Sequence, residues 1–470
     1  MNGNTVKIIA VVAVIVVVAS GVGVVLFMNQ NKDSGYKIDA ALEVYGNADG
    51  DYKIDSKDVD VIQNIIDGKE GYTLEAYPLA NAYKADDVVD EKDIEQVKKI
   101  IAGGNDDGSQ MTVWHINHTT DTKVANGEYV VETKWPVKKA IANGTANALM
   151  IYEMIGLKEN IVGINYSSGS PPDPVIFPEY NKMPSLGTST MYLTESKVKD
   201  CVKDNEGTTA VITADNKSYL TSACTEDYLE NTLKIDVIRI EHAAVDPNDY
   251  ASALLMLGFL FQKDTKAQEA SEWTTIIFKE LSDKLSSVDK KVRVAVSSGE
   301  KYLSARNSDY ADVAVQAGGE YTIWTASSTS IYFRTYVGSK TTYDPDPKVY
   351  NPEYQADVII GLRTGAVLGK ASDGASWYGS TDLWDKQKIK DYIADFSDFQ
   401  CYKEKNIYII SGDCPIVARV LYSAAVLYPD LVSMDWANEM HQEYVDKYLG
   451  GLYTVKDCHF VISMTEVENM

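Results

Sequence analysis

Arginine is scarce in this chain. Of 44 basic residues among 470, only six are Arg, and all six lie at or beyond Arg239. Acids number 68, so the formal charge is −24. Phosphate backbones are held by Lys and Arg, so this balance excludes a nucleic-acid partner. Cysteine is also sparse, with five residues and no Cys-x-x-Cys pair, which excludes a dense disulfide framework and a structural zinc site. Five His include one close pair, His115 and His118. A bare zinc or manganese site needs about three His and a carboxylate converging, so that pair reads as ordinary surface or capping chemistry. No P-loop, nucleophile elbow or dinucleotide fingerprint occurs, and the chain is read as a non-enzyme. What the sequence does have is apolar content of 45%, enough for ordinary cores, and a length that suits two to four units.

The first unit is an apolar run. Residues 8–28 contain no charged residue over 21 positions. About 20 apolar residues span a bilayer, and a cleaved leader usually has a shorter core. Lys7 precedes the run, which favours a cytoplasmic N-terminus and an exported remainder. Residues 1–32 are therefore expected to form an uncleaved transmembrane anchor in the cell membrane, with the rest on the extracellular face. Cleavage near Ala19-Ser20-Gly21 is the alternative. Four Asn-x-Ser/Thr sites, at Asn117, Asn143, Asn165 and Asn216, permit glycosylation there.

The second unit is acidic. Residues 33–108 hold 19 acids and 8 Lys, a net of −11. Asn47, Asp49, Asp51, Asp55 and Asp58 stand where a twelve-residue EF-hand loop places oxygen side chains, and Lys53 stands where it offers a main-chain carbonyl. These six positions are the candidate calcium ligands. Tyr52 replaces the expected Gly, and Asp58 replaces the expected bidentate Glu, so a weaker site is expected. A degenerate second copy at 79–103 keeps Asn81, Asp86, Asp90 and Asp93 but carries an extra residue. The shared endings NIIDG and KIIAGG support a duplication. Residues 36–104 resemble a dockerin-type module, strongly in the first loop and weakly in the second. The resemblance implies a small all-α unit folded around calcium, with a cohesin-type protein as a partner. GGNDDGSQ at 103–110 reads as a linker.

From Met111 onward short apolar runs alternate with helical stretches. Candidate strands are 127–133, 161–166, 209–213, 235–241, 292–297, 356–361 and 407–411, with helices at 144–157 and 416–427 between them. Most of these runs suit strands buried on both faces, so the pattern predicts α/β units with mostly parallel sheets. One longer helix is predicted from Asp264, with a Thr265-x-x-Gln268 capping start and apolar residues at Ala267, Ala270, Trp273, Ile277, Leu281 and Leu285. No Gly or Pro interrupts 264–287.

Five stretches carry a family resemblance. They are EYVVETKWPVKKAIA at 128–142, IYEMIGLKENIVGINYSS at 151–168, KMPSLGTST at 182–190, QADVIIGLR at 355–363, and the run from Tyr408 to Gly450. In this order they resemble the substrate-binding proteins of iron–siderophore, haem and cobalamin ABC transporters. The resemblance implies two lobes with mostly parallel sheets joined by one long helix: lobe 1 at 109–262, the linking helix at 263–289 and lobe 2 at 290–470. It implies a metal chelate bound between the lobes and delivered to an ABC permease. Met150 occupies the position where that family carries a permease-docking Glu, and Glu353 is a displaced counterpart in the second lobe, so coupling is the weaker part of the expectation.

Ligands in such folds sit outside the carboxyl ends of the strands. That rule, with aromatic faces for a planar chelate and Arg forks for its oxygens, selects Tyr166, Thr188, Arg306, Trp324, Arg334, Arg363, Trp377 and Tyr378 as substrate-binding candidates. Arg419 is a weaker candidate, being helical. Cys201–Cys224 and Cys401–Cys414 are available as disulfides. The competing expectation is a dockerin-bearing adhesion or scaffold protein with an uncoupled binding domain.

Overall fold

The structure, a computed structural model, describes residues 38–470 except 122, 125–126, 145, 167–170, 190, 223, 298–301, 307, 324–330, 333–334, 338–339, 343–354 and 364–383. The apolar run at 8–28 lies outside the described residues. Among those described, no helix is long and apolar enough to cross a membrane.

The acidic segment forms two loop–helix units, α1 (Ser56–Ile66) and α2 (Glu91–Ile101). Each helix starts with a capping box, Asp55 with Asp58 and Asp90 with Asp93. The box satisfies N-terminal amides that have no intrahelical partner. Ile62, Ile94 and Val97 close a small core with Ala48, Ala80 and Ala82. The loops share several bonds. Asn47 Nδ2 donates to the Asp51 carbonyl at 2.6 Å, four residues on, and Asn81 Nδ2 to the Asp86 carbonyl at 2.8 Å, five residues on. The extra residue of the second copy therefore sits between Asn81 and Asp86.

A hairpin follows, β1 (Met111–His118) against β2 (Glu128–Trp135), with Met111 opposite Trp135 and His118 opposite Glu128. The acidic segment is fastened to this hairpin. Val44 bridges antiparallel to His115, the Tyr45 amide donates to the Trp114 carbonyl at 2.9 Å, and the Ile116 amide donates to the Glu43 carbonyl at 3.0 Å. Gln96 Nε2 adds a bond to the Thr112 carbonyl at 2.7 Å. Ala40, Leu42 and Val44 are buried in the same core as the residues that follow.

The first parallel sheet contains β3 (Lys139–Asn143), β4 (Ile161–Asn165), β5 (Thr208–Ala214) and β6 (Asp236–Ile240), in the order β4-β3-β5-β6, with α3 (Ala146–Ile155) crossing from β3 to β4. Ile141, Val211, Ile212 and Ile238 are almost wholly buried, as strands covered on both faces require. Next come α4 (Pro247–Leu260), opened by an Asp246 cap and a Pro in its first turn, and the long α5 (Asp264–Leu285). The predicted Thr265–Gln268 capping start is corrected here: Lys263 is the N-cap and makes no side-chain bond. The chain reverses through Gln262 at φ 53°, so the tight turn sets the helix start rather than a cap. With 22 residues α5 is about 33 Å long. Its Trp273 packs against Tyr444 and Tyr448 and donates to Glu443 at 3.0 Å.

The second sheet contains β7 (Arg293–Ser297), β8 (Glu320–Tyr321), β9 (Val358–Arg363), β10 (Ile407–Ser411) and β11 (Val461–Ser463), in the order β8-β7-β9-β10-β11. Only β11 runs antiparallel to its neighbour among these pairs. Its helices include α6 (Asp309–Gln316), α7 (Ile416–Leu427) and α8 (Met434–Tyr448). His441 is structural, buried between the hydroxyls of Tyr422 at 2.9 Å and Tyr453 at 3.0 Å.

Burial and pairing narrow two possibilities the sequence leaves open. Asn117, Asn143 and Asn165 are buried, which leaves Asn216 as the one exposed sequon. All five cysteines are free, so neither of the two pairs left open by the sequence is bonded.

Candidate functional site

The strands end at a cleft between the two sheets. β5 delivers Asp215 and Asn216, β6 delivers Glu241 and His242, and β10 delivers Gly412 and Asp413. Asp309 and Tyr310, opening α6, and Arg419 on α7 complete the wall of a cavity of about 390 Å³. Parallel sheets leave their carboxyl ends free for ligands, and two such sheets face each other here. Below the first wall the side chains are locked. Asn143 Nδ2 donates to Thr213 Oγ1 at 3.0 Å, and Asn165 Nδ2 donates to Asn143 Oδ1 at 2.7 Å. Arg419 links the lobes, donating through Nε to the Cys414 carbonyl and through Nη2 to Asn147 Oδ1 on α3, each at 2.7 Å.

The cleft is acidic. Among its described lining residues Asp215, Glu241, Asp309 and Asp413 face one guanidinium, Arg419. Burial pushes Asp215 up, with the Asp309 charge next in size, and it pushes Asp309 up as well. Glu241 is solvent-exposed at the rim, yet enclosure by the walls, followed by Asp215, Asp249 and Asp309, raises it to about 7. Burial lowers His242 to about 4, so its imidazole is neutral, and its Nδ1 has no hydrogen-bond partner. Tyr219 sits edge-on to that ring.

The sequence-predicted residues fare differently. Tyr166 directly follows β4 but bonds within its own lobe, its hydroxyl donating to the Met183 carbonyl at 3.3 Å. Thr188 is exposed on a short hairpin strand, Gly187–Ser189, and does not line the cavity. Arg306 pairs with Asp312 at 2.8 Å and also stays off the lining. Arg363 is the last residue of β9, opposite Ser411, at the cleft end of the sheet, and its neighbour Leu362 lines the cavity. Trp324, Arg334, Trp377, Tyr378 and Glu353 lie outside the described residues. Met150 is buried and its carbonyl accepts from Tyr444, so no surface carboxylate stands at that position. The carboxylates that do line the cleft follow the same strand-end rule that chose the Arg candidates.

A second set of polar groups lies in the first acidic loop. Asp51 Oδ1 accepts from the Lys53 amide at 2.8 Å, and Asp58 accepts from the Asp49 amide at 3.0 Å and the Asp55 amide at 2.7 Å. Lys53 Nζ pairs with Asp55 at 2.7 Å. Burial raises Asp51, and raises Asp58 to about 7. Asn47 Oδ1 is buried with no partner, and so is its counterpart Asn81 Oδ1. An orphaned buried amide oxygen beside Asp49 and Asp51 suits a hard cation. Among the described residues, no cluster of three or more His, Cys, Asp or Glu is arranged to hold a metal ion.

No family model and no curated protein matches the sequence. Solved structures do match. The TroA-like periplasmic binding protein FepB of Veillonella parvula aligns with TM-score 0.53 at 17% identity, over 72% of this chain and 98% of its own. An ABC transporter solute-binding protein of Sulfurospirillum deleyianum aligns with TM-score 0.46 at 13% identity, over 68% and 97%. A periplasmic haem-binding protein of Pseudomonas aeruginosa aligns with TM-score 0.44 at 12% identity, over 63% and 94%. The fold is that of a two-lobed, TroA-like periplasmic binding protein. The cavity lies where the two sheets face each other.

Proposed function

We propose that this chain is the solute-binding component of an ABC importer, anchored by residues 8–28 and displayed on the outer face of the cell membrane. It captures a metal chelate of the ferric siderophore, haem or cobalamin kind between its lobes and delivers it to a permease. The observation that carries this reading is the cavity of about 390 Å³ at the strand ends, walled by both lobes. FepB, a binding protein with this fold, supports it. The test is a titration of the full chain in detergent with ferric siderophores, haem and cobalamin, read by Trp quenching and chelate absorbance. Saturable one-to-one binding of at least one is expected, and saturation by none would reject the ligand class.

We also propose calcium in the first acidic loop. Asn47, Asp49, Asp51, Asp55, Asp58 and the Lys53 carbonyl would hold it, and the ion would neutralise crowded carboxylates there. The orphaned Asn47 oxygen supports this. The scaffold alternative, with a cohesin-type partner, draws support only from exposed apolar residues on this segment, chiefly Val88 and Ile101. Residues 43–45 and Gln96 of the segment are engaged with β1.

A further inference from the structure

The two acidic loops correspond position by position through their bonds. In the first, the Asp49 amide donates to Asp58 Oδ1 at 3.0 Å and the Asp55 amide to Asp58 Oδ2 at 2.7 Å. In the second, the Tyr83 amide donates to Asp93 Oδ1 and the Asp90 amide to Asp93 Oδ2, each at 2.8 Å. The Lys53 amide meets Asp51 as the Val88 amide meets Asp86, and the Lys57 amide meets Asp55 as the Lys92 amide meets Asp90. Tyr83 therefore stands for Asp49, Asp86 for Asp51, Asp90 for Asp55, Asp93 for Asp58 and Lys92 for Lys57.

The cations do not correspond. Lys92 Nζ pairs with Asp86 Oδ2 at 2.7 Å, stands 3.6 Å from Asp90 Oδ2 and lies 5.7 Å from the centre of the Tyr83 ring. One ammonium thus gathers the counterparts of Asp49, Asp51 and Asp55. In the first loop Lys53 pairs with Asp55 alone, and among the described residues no carboxylate pairs with Lys57. A calcium ion takes six to eight oxygens. The second loop has lost one of them, since Tyr83 stands edge-on to Trp114 of β1 where the first loop has a carboxylate.

Resting on the calcium reading of the first loop, we infer that the second loop carries its own cation. The Lys92 ammonium takes the place that a divalent ion takes in the first loop, so the chain holds one ion rather than two. An ammonium is a compact point charge with three donors, enough to serve two carboxylates at once. A calcium ion entering the second loop would have to displace it from both, against like-charge repulsion at close range. The lysine supplies the charge but not every contact, because Asn81 Oδ1 stays buried without a partner. Asn81, Asp86, Asp90 and Asp93 are all still in place once the ammonium is removed. The first loop alone then answers to calcium, and the second stays closed without it.

The experiment counts ions. The full chain in detergent, stripped of metal by a chelator, is titrated calorimetrically with calcium alone. The native chain is expected to take one ion. Lys92→Met should take two, the second more weakly for want of a carboxylate at Tyr83, and Lys92→Arg should take one. Asp49→Asn should take none, and Asp49→Asn with Lys92→Met should take one, which places the added ion in the second loop. Thermal unfolding without calcium checks that each variant is folded. Two ions in the native chain, or one in Lys92→Met, overturns the inference and leaves the first-loop reading standing. No ion in the native chain rejects the first-loop reading and the inference that rests on it.

Discussion

Two regions of this protein are rich in carboxylates, and they use them in opposite ways. In the acidic loops nearly every carboxylate is turned onto its own backbone. Asp51, Asp55, Asp58, Asp90 and Asp93 each accept main-chain amides, and Lys53 and Lys92 close onto Asp55 and Asp86. In the cleft Asp215, Glu241 and Asp309 line the open cavity between the sheets. Charge density alone therefore does not distinguish a folding device from a receptive surface. What distinguishes them is where the N–H donors are.

The sharpest way to break this contrast is to remove one acid from each region. Asp58→Ala should destabilise the chain by about 2–3 kcal/mol, because two buried amides lose their acceptor. Asp215→Ala should stay within about 0.5 kcal/mol, or stabilise slightly by relieving repulsion. Urea or thermal unfolding of both variants checks this, and equal losses would erase the distinction.

Calcium gives the next effect. At a hundredfold excess over Kd, the ion should stabilise the folded chain by about 2.7 kcal/mol. Asn47→Ala should remove most of that gain while leaving the cleft's ligand affinity unchanged. An unchanged Tm on adding calcium and then chelator would reject the site.

The smallest effect lies where the two regions meet. His118 on β1 is held above its ordinary value of 6.5 by its hydrogen bond to Glu43, with Glu128 and Glu241 adding attraction. A raised imidazole contributes stability that is full below the unfolded value and is lost as pH rises through the folded one. Warming the protein at mildly acidic and then mildly basic pH should show a Tm fall of roughly 1 °C that His118→Asn lacks. An identical pH profile in that variant would remove the pair from the account.

Much of the fold was legible because burial writes itself in periodicity. The run at 407–411 coincides with β10, and the helix at 416–427 coincides with α7. β1 is not among the candidate strands, because TVWHINH reads as polar although alternate residues of it are buried. β3 overlaps the 128–142 stretch that carries the family resemblance. The duplicated acidic loops were legible down to the inserted residue. Their docking was not, since the bonds from Glu43 and Tyr45 to β1 run through backbone and leave no side-chain signature.

The site was half legible. The strand-end rule points to the rim where the cavity lies, but the candidates Tyr166 and Arg306 are not part of its lining, whereas Arg419 is. Sequence cannot show that Arg239, Arg293 and Arg306 each have a carboxylate of their own, Glu226, Asp357 and Asp312. Nor does it show that Asp215 and Asp309, distant in the chain, share one wall.

Arg419 reaches from α7 to Asn147. It clasps the two lobes, and α5 runs without a break behind them. Little closure entropy is left for a solute to overcome on arrival. Capture on such a scaffold is governed by how slowly the solute escapes, so selection among solutes is written in residence times more than in encounter rates. On the importer function proposed above, a transporter would compete with a clock set by one guanidinium and one amide.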